Sequence, residues 1–203
     1  MTTGPDSTWS CTACGSTDYR IFYRASNVPV HSVMLLASRK EALDYPRHEI
    51  TLAFCRVCGF VANSAFEPER LSYSDQYEEA QDYSGTFRIF QQRLVAGLIE
   101  RHGLQQKTIM EIGCGKGEFL KLLCREGNNR GIGYDPAYVP ARTPGTESEK
   151  TVFFTEFFGP SSGPIDADMV VCKMTLEHIH TPSEFVSMIG TAIGEGNQPA
   201  LFI

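Results

Sequence analysis

The sequence predicts a doubly wound, mostly parallel α/β sheet preceded by a small β-rich module. Three observations carry that expectation. Strand-like and helix-like segments alternate from Lys107 to Ile203. A glycine-rich turn, Gly113-Cys114-Gly115-Lys116-Gly117, falls between the first of these strands and the first of these helices. Ahead of them, two matching knuckles, Cys11-Thr12-Ala13-Cys14-Gly15 and Cys55-Arg56-Val57-Cys58-Gly59, bracket a segment rich in short β-like runs.

The elements follow in order. Tyr19 to Tyr23 and Glu49 to Phe54 read as strands, with Pro29 and Pro46 as punctuation and one helical period near Leu35 to Leu43. Residues 66–85 are acidic and tyrosine-rich, with Tyr73, Tyr77 and Tyr83, and read as a linker or lid. Phe87, Phe90, Leu94, Val95, Leu98 and Ile99 then recur at helical spacing, and Gly103 stands where a C-terminal cap belongs. Thr108 to Ile112 reads as a strand, Gly117 to Arg125 as a helix, and Gly131 to Tyr134, Val152 to Thr155 and Ala167 to Cys172 as strands. Residues 140–150 read as a polar surface loop. Thr181-Pro182-Ser183-Glu184 is a capping box with proline at the first helical position, opening a helix to about Ile193. Ala200 to Ile203 begins one more strand. Such alternation implies a parallel sheet covered by helices on both faces. The expected organisation is a module over 1–65, a linker or lid over 66–85 and an α/β domain over 86–203. Because a fold of this class normally continues past such a strand, the α/β domain reads as partial, truncated at its C-terminus.

A hydrophobic fraction of 42% and a charged fraction of 21% are those of an ordinary globular protein. The net charge of −6, without any basic stripe, argues against a nucleic-acid binder. Neither a signal-peptide pattern nor an apolar run near the roughly 20 residues of a membrane span is present in the sequence. The cytoplasm is the expected compartment, and there the cysteine spacing favours metal over disulfides.

Zinc takes soft ligands in a tetrahedron, and two Cys-x-x-Cys turns supply four: Cys11, Cys14, Cys55 and Cys58. The glycine after each pair eases the turn that aims backbone amides at the sulfurs. The gap between the pairs exceeds the usual ribbon spacing, and the alternative is two unrelated pairs of free thiols. A redox role is disfavoured because neither pair opens a helix after a strand. His31 and His48 lie between the pairs, but four cysteines already close the coordination sphere, so the expected zinc is structural. Cys124 and Cys172 read as buried, and Cys114 as a backbone contributor to the glycine turn.

That turn is the most informative segment. Glycines permit positive φ and close ligand approach, and ligands of open α/β sheets bind beyond the carboxyl ends of the strands. The dinucleotide fingerprint fails here because residue 118 is glutamate. The pattern is instead Glu-x-Gly-x-Gly-x-Gly over Glu111 to Gly117. Carboxylates beside the turn suit a cationic ligand better than a pyrophosphate. Asp135, 24 residues after Glu111, ends the second strand, where a carboxylate can accept hydrogen bonds from ribose hydroxyls.

Glu111 to Gly117 followed by Asp135 resembles the first two motifs of class I S-adenosylmethionine-dependent methyltransferases, with their Rossmann-like sheet. The resemblance implies that Glu111, Gly113, Cys114, Gly115, Gly117 and Asp135 bind S-adenosylmethionine. It also implies that Glu156 and Phe157 contact the adenine, and it brings Met174 to the pocket wall; core packing is the alternative for Phe157. With the knuckles included, the chain resembles bacterial C-methyltransferases that carry an N-terminal zinc-binding domain, among them enzymes acting on nucleotide-activated deoxysugars. Val28-Pro29-Val30-His31-Ser32, Phe54 to Phe60 and Tyr77 to Ser84 share in that likeness. It implies a small-molecule acceptor, a nucleotide sugar among the candidates, no nucleic acid and no membrane.

The resemblance places His178, in Leu176-Glu177-His178-Ile179-His180, in the active site as an acid/base or substrate contact, the alternative being a helix-start histidine that hydrogen-bonds the backbone. Where family members often carry proline, this chain has His180. A tyrosine of the lid, Tyr77 or Tyr83, joins the site. Two other readings compete: a zinc-ribbon interaction module fused to a degenerate cofactor fold, and a nicotinamide-dependent oxidoreductase.

Overall fold

Aromatic and β-branched residues over Tyr19–Pro29 and Arg47–Cys55 form two strands, β1 and β2, which pair antiparallel. A short strand β3 (Val61–Asn63) completes a three-stranded sheet in the order β1-β2-β3. Tyr19 stands opposite Cys55 in the register, so the chain leaving the first knuckle enters the sheet beside the second. Between β1 and β2 lies the short helix α1 (Arg39–Asp44), where the Ser38 hydroxyl accepts from the Glu41 N–H. This computed structural model describes residues 9–31, 34–70, 83–139, 150–196 and 198–203. The chain divides into two compact units, one within Met1–Ser72 plus His180–Phe185, the other within Tyr73–Ile179 plus Val186–Ile203.

The second unit opens with helix α2 (Gly85–His102), begun by Ser84 and ended by Gly103 in the left-handed conformation. Then follow β4 (Thr108–Ile112), α3 (Glu118–Gly127), β5 (Arg130–Tyr134), β6 (Thr151–Phe154), β7 (Met169–Val171), α4 (Pro182–Ile193) and β8 (Ala200–Phe202). The strands pair in parallel in the order β6-β5-β4-β7-β8. The chain winds outward from β4 through β5 to β6, then crosses to β7 and β8 on the other side. The switch point therefore lies at the carboxyl ends of β4 and β7.

Ile109, Leu120, Leu123, Met169 and Val171 are fully buried in one apolar cluster with Val95 of α2. The side chain of Asn129 is also fully buried. Its Nδ2 donates to the carbonyls of Leu104 and Leu123, and its Oδ1 accepts from the Lys107 N–H. This amide joins the α2–β4 connection to the end of α3.

Three details differ from the sequence expectation. β3 was not anticipated, since a three-residue strand is too short to show a period. The Ala167–Cys172 run forms a strand only over Met169–Val171, and the Asp168 carboxylate accepts instead from the Thr108 N–H and the Lys107 ammonium. On α2 the buried stripe is Gln91, Val95 and Leu98, which leaves Phe90 one residue off the stripe and 54% exposed. Among the described residues no helix is long and apolar enough to cross a membrane.

Candidate functional site

In the first unit, the sulfurs of Cys11, Cys14, Cys55 and Cys58 lie within 4.8 Å of one another. Cys11 and Cys58 are 3.7 Å apart, and Cys14 and Cys55 are 3.6 Å apart. Zinc–sulfur bonds of about 2.3 Å set tetrahedral edges of about 3.8 Å, so the cluster has the dimensions of a zinc site. The two knuckles repeat one another in detail. Gly15 and Gly59 N–H donate to the carbonyls of Cys11 and Cys55, while Cys11 and Cys55 N–H donate to those of Ser16 and Phe60. Both glycines take positive φ, 74° and 78°. The thiols share their protons: the backbone N–H of Cys58 lowers Cys55 to about 7, while the neighbouring sulfurs push Cys14 up to about 12 and burial raises Cys58. The histidines between the knuckles have other partners: His48 Nε2 lies 3.1 Å from Glu67 Oε1, and the His31 ring packs 6.4 Å from that of Tyr45.

In the second unit, the strand–turn–helix from β4 to α3 builds the glycine turn. Gly113, Gly115 and Gly117 all adopt left-handed backbone, with φ of 74°, 53° and 75°. Glycines at such a turn leave space for a ligand to approach. At two of them the protein fills it itself: a Cβ on Gly113 would meet Thr175 Oγ1 at 2.2 Å, and one on Gly117 would meet the Phe153 ring at 2.4 Å. Thr175, which the sequence reading did not single out, lies within 3.3 Å of the Gly113 carbonyl through its hydroxyl.

The N–H groups of the turn are largely consumed within the chain. Those of Gly113 and Cys114 donate to the Tyr134 carbonyl, and that of Gly117 to the Cys114 carbonyl. The Gly115 N–H donates to Asp135 Oδ2 at 2.8 Å, and Asp135 Oδ1 accepts from Ala137. A pyrophosphate needs such donors free. What the turn presents instead is acidic. Asp135 stands at the end of β5, and Glu111, on the central strand, is 2% exposed. Burial pushes the Glu111 carboxyl up to about 8, against the pull of Lys173 and of the Leu120 backbone N–H. Among the described residues its buried Oε2 has no hydrogen-bond partner. An orphaned buried carboxylate oxygen beneath the turn fits an ammonium-bearing ligand such as S-adenosylmethionine. Burial likewise raises the Cys114 thiol, keeping it neutral.

Around the carboxyl ends of β5 and β6, Tyr134 stacks on Phe154 and Tyr138 on Phe153, with ring centroids 4.7 and 4.4 Å apart. Glu156 and Phe157 follow β6, and both are exposed, Phe157 by 71%. The core position belongs to Phe158, which is buried against Tyr134. Beyond β7, Met174 has a φ of 56° and is half exposed. His178 ends a single 3-10 turn (Leu176–His178), with an exposed side chain and its N–H donating to the Thr175 carbonyl. His180 belongs to the first unit, where its ring lies 5.3 Å from that of Phe66. Tyr83, 76% exposed, lines an open depression of about 710 Å³ with Ser84, Thr86, Phe87 and Phe90. Tyr77 lies outside the described residues.

Comparison with known proteins adds the family. Residues 87–201 match the model of a methyltransferase-domain family. A search of curated proteins found no match. Similar solved structures include a putative methyltransferase from an antibiotic biosynthesis pathway of Anabaena variabilis, 21% identical, with a TM-score of 0.37 over 47% of this chain and 39% of that one. Another is the plantazolicin methyltransferase BpumL, in complex with a triazolic desmethylPZN analog and SAH, 14% identical, with a TM-score of 0.43 over 56% of this chain and 45% of that one. A third is the 1,6-didemethyltoxoflavin-N1-methyltransferase of Burkholderia thailandensis, with bound 1,6-didemethyltoxoflavin and S-adenosylhomocysteine, 13% identical, with a TM-score of 0.40 over 78% of this chain and 68% of that one. The chain thus spans less than half the length of the first two. The family match stands on its own: it covers more than half of the sequence, and the chain belongs to the methyltransferase-domain family.

Proposed function

We propose that this chain transfers a methyl group from S-adenosylmethionine to a small-molecule acceptor, and that the acceptor is a nucleotide-activated sugar methylated at carbon. The observation that carries the cofactor assignment is the turn at the switch point, whose N–H groups are occupied and whose open valences are carboxylate oxygens. The sugar assignment is supported by the resemblance of the knuckles, the Val28 to Ser32 segment and the tyrosine-rich stretch to the zinc-bearing C-methyltransferases.

The cofactor supplies an electrophilic methyl group on a sulfonium. The chain's residues supply position and proton transfer. Each Asp135 oxygen holds one backbone N–H and keeps lone pairs for ribose hydroxyls. Glu111 faces the positive end of the ligand, Gly113, Cys114, Gly115 and Gly117 shape the turn, Glu156 and Phe157 border the adenine, and Met174 lines the pocket. Transfer to carbon needs a base to withdraw a proton from the acceptor, and His178 takes that role, with Tyr77 or Tyr83 against the acceptor. The Cys11, Cys14, Cys55 and Cys58 site holds a structural zinc, and its thiolates suit a reducing cytoplasm.

Calorimetry on the full chain tests the cofactor. S-adenosylhomocysteine should bind and NAD should not. NAD binding alone would restore the oxidoreductase reading, and binding of neither would favour an interaction module. His178→Ala should lower turnover by about 10²- to 10⁴-fold with cofactor affinity unchanged; full activity would remove His178 from the mechanism.

A further inference from the structure

Glu111 is an anomaly in the core. It sits on the central strand of the sheet, opposite Gly133 of β5 and Val171 of β7. Its carboxyl is almost wholly removed from solvent, and one of its oxygens has no partner among the described residues. An ionised carboxylate in such a place is costly unless it is paired, and a protonated one is far less so. The groups acting on it come from every neighbouring element. Lys173, just past β7, and the Leu120 N–H of α3 favour the charge, while Asp135, just past β5, opposes it. The described titratable neighbours besides these are the thiols of Cys114 in the turn, Cys124 on α3 and Cys172 after β7, each raised first by burial, with the Glu177 carboxylate adding to it at Cys172. Lys173 is the one cation in this set, and it is shared with two aromatic rings: its Nζ lies 5.1 Å from the Phe119 centroid and 5.8 Å from that of Phe87. Among the described residues the carboxyl therefore lacks a dedicated counter-ion.

We propose that Glu111 carries a proton in the cofactor-free chain and releases it to solvent when the ammonium-bearing cofactor binds, so that cofactor capture and ionisation of this buried side chain are one coupled event. The inference rests on the cofactor reading above and adds to it a proton. The balance is simple. The neutral carboxyl loses H⁺ to buffer, the ligand's ammonium supplies the missing positive charge, and no other bond changes. Linkage sets the direction. Below the pKa of the free chain, about 8, binding must expel the proton. Affinity then rises roughly tenfold per pH unit as pH climbs from about 6 towards 8, and it levels off above that.

The test is titration calorimetry of the full chain with S-adenosylhomocysteine, at pH 7 in buffers of different ionisation enthalpy, then across pH 6 to 9. Close to one proton should be released per site at pH 7, and the pH slope should vanish in Glu111→Gln, whose amide mimics the neutral acid. Binding without proton release, or an unchanged slope in the variant, overturns the inference and leaves the cofactor reading intact. No binding at any pH overturns both. Should Glu111→Gln fail to fold, the proton count of the unaltered chain decides alone.

Discussion

The two units of this protein solve the same problem with different means. In the sheet unit, Val95, Leu104, Ile109, Leu120, Leu123, Met169, Val170 and Val171 are each buried to within 1% of complete, and the parallel ladder is continuous around them. Among the described residues of the zinc-cluster unit, those buried are Cys11, Thr51, Ala53, Cys55 and Pro182, and α1 buries nothing. Large apolar side chains there, Phe22, Tyr23, Leu35 and Val57 among them, stay largely exposed. A module with so little apolar burial has too small a hydrophobic contribution to offset the ordering of its backbone. Its cohesion falls to the four sulfurs, whereas the sheet unit has a core that needs none.

Removing the metal should have the largest effect. Structural zinc sites contribute on the order of 10–16 kcal/mol of folding free energy in small modules. Elemental analysis should find about one zinc per chain. Chelation, or Cys14→Ser, should then abolish the amide dispersion of β1 to β3 in NMR spectra while the resonances of β4 to β8 persist. A single transition that melts both sets together would break the contrast between the units. So would a metal-free chain with ordered β1–β2 resonances.

Leu120→Ala probes the other side. Leu120 is fully exposure-free and contacts the strand at Gly131, where even a Cβ would sit 3.0 Å from its Cγ. Truncation should cost about 2–5 kcal/mol of sheet-unit stability, measured by denaturant titration, and zinc content should stay unchanged. A loss of zinc in this variant would show that the core also supports the metal site.

What the sequence made legible follows the same division. Strand–helix alternation is dictated by local pattern, so β4, α3, β5, β6, α4 and β8 lie within a residue or two of where periodicity places them. Cysteine spacing is equally local, and the sulfurs gather as the knuckles imply. Tertiary packing is where local reading stops. Nothing in the neighbourhood of Gly113 announces that Thr175, some sixty residues on, fills its Cβ space. Between adjacent phenylalanines, only the fold decides that Phe158 is buried and Phe157 exposed. Asn129 has the same character: Asn128 beside it is the left-handed cap of α3, but the three bonds of the Asn129 amide join segments distant in sequence. The candidate site is thus legible as a turn and two carboxylates, while its walls are set by contacts that no motif encodes.

The finest test of the contrast uses one substitution in both units. Ser38 caps α1 and Ser84 caps α2, each by accepting a hydrogen bond from an N–H three residues on, Glu41 and Phe87. Loss of such a cap costs about 1 kcal/mol when the helix is coupled to the folded core. α2 is coupled through Val95 and Leu98, so Ser84→Ala should lower the sheet unit's stability by about that amount. α1 has six residues and buries none of them, so it can fray without disturbing any packed neighbour. Ser38→Ala should therefore shift neither the zinc affinity nor the unfolding midpoint, and its effect should appear only as faster amide exchange over Arg39–Asp44. Equal destabilisation by the two variants would mean that α1 shares in the module's cohesion, and that the sulfurs do not hold it by themselves.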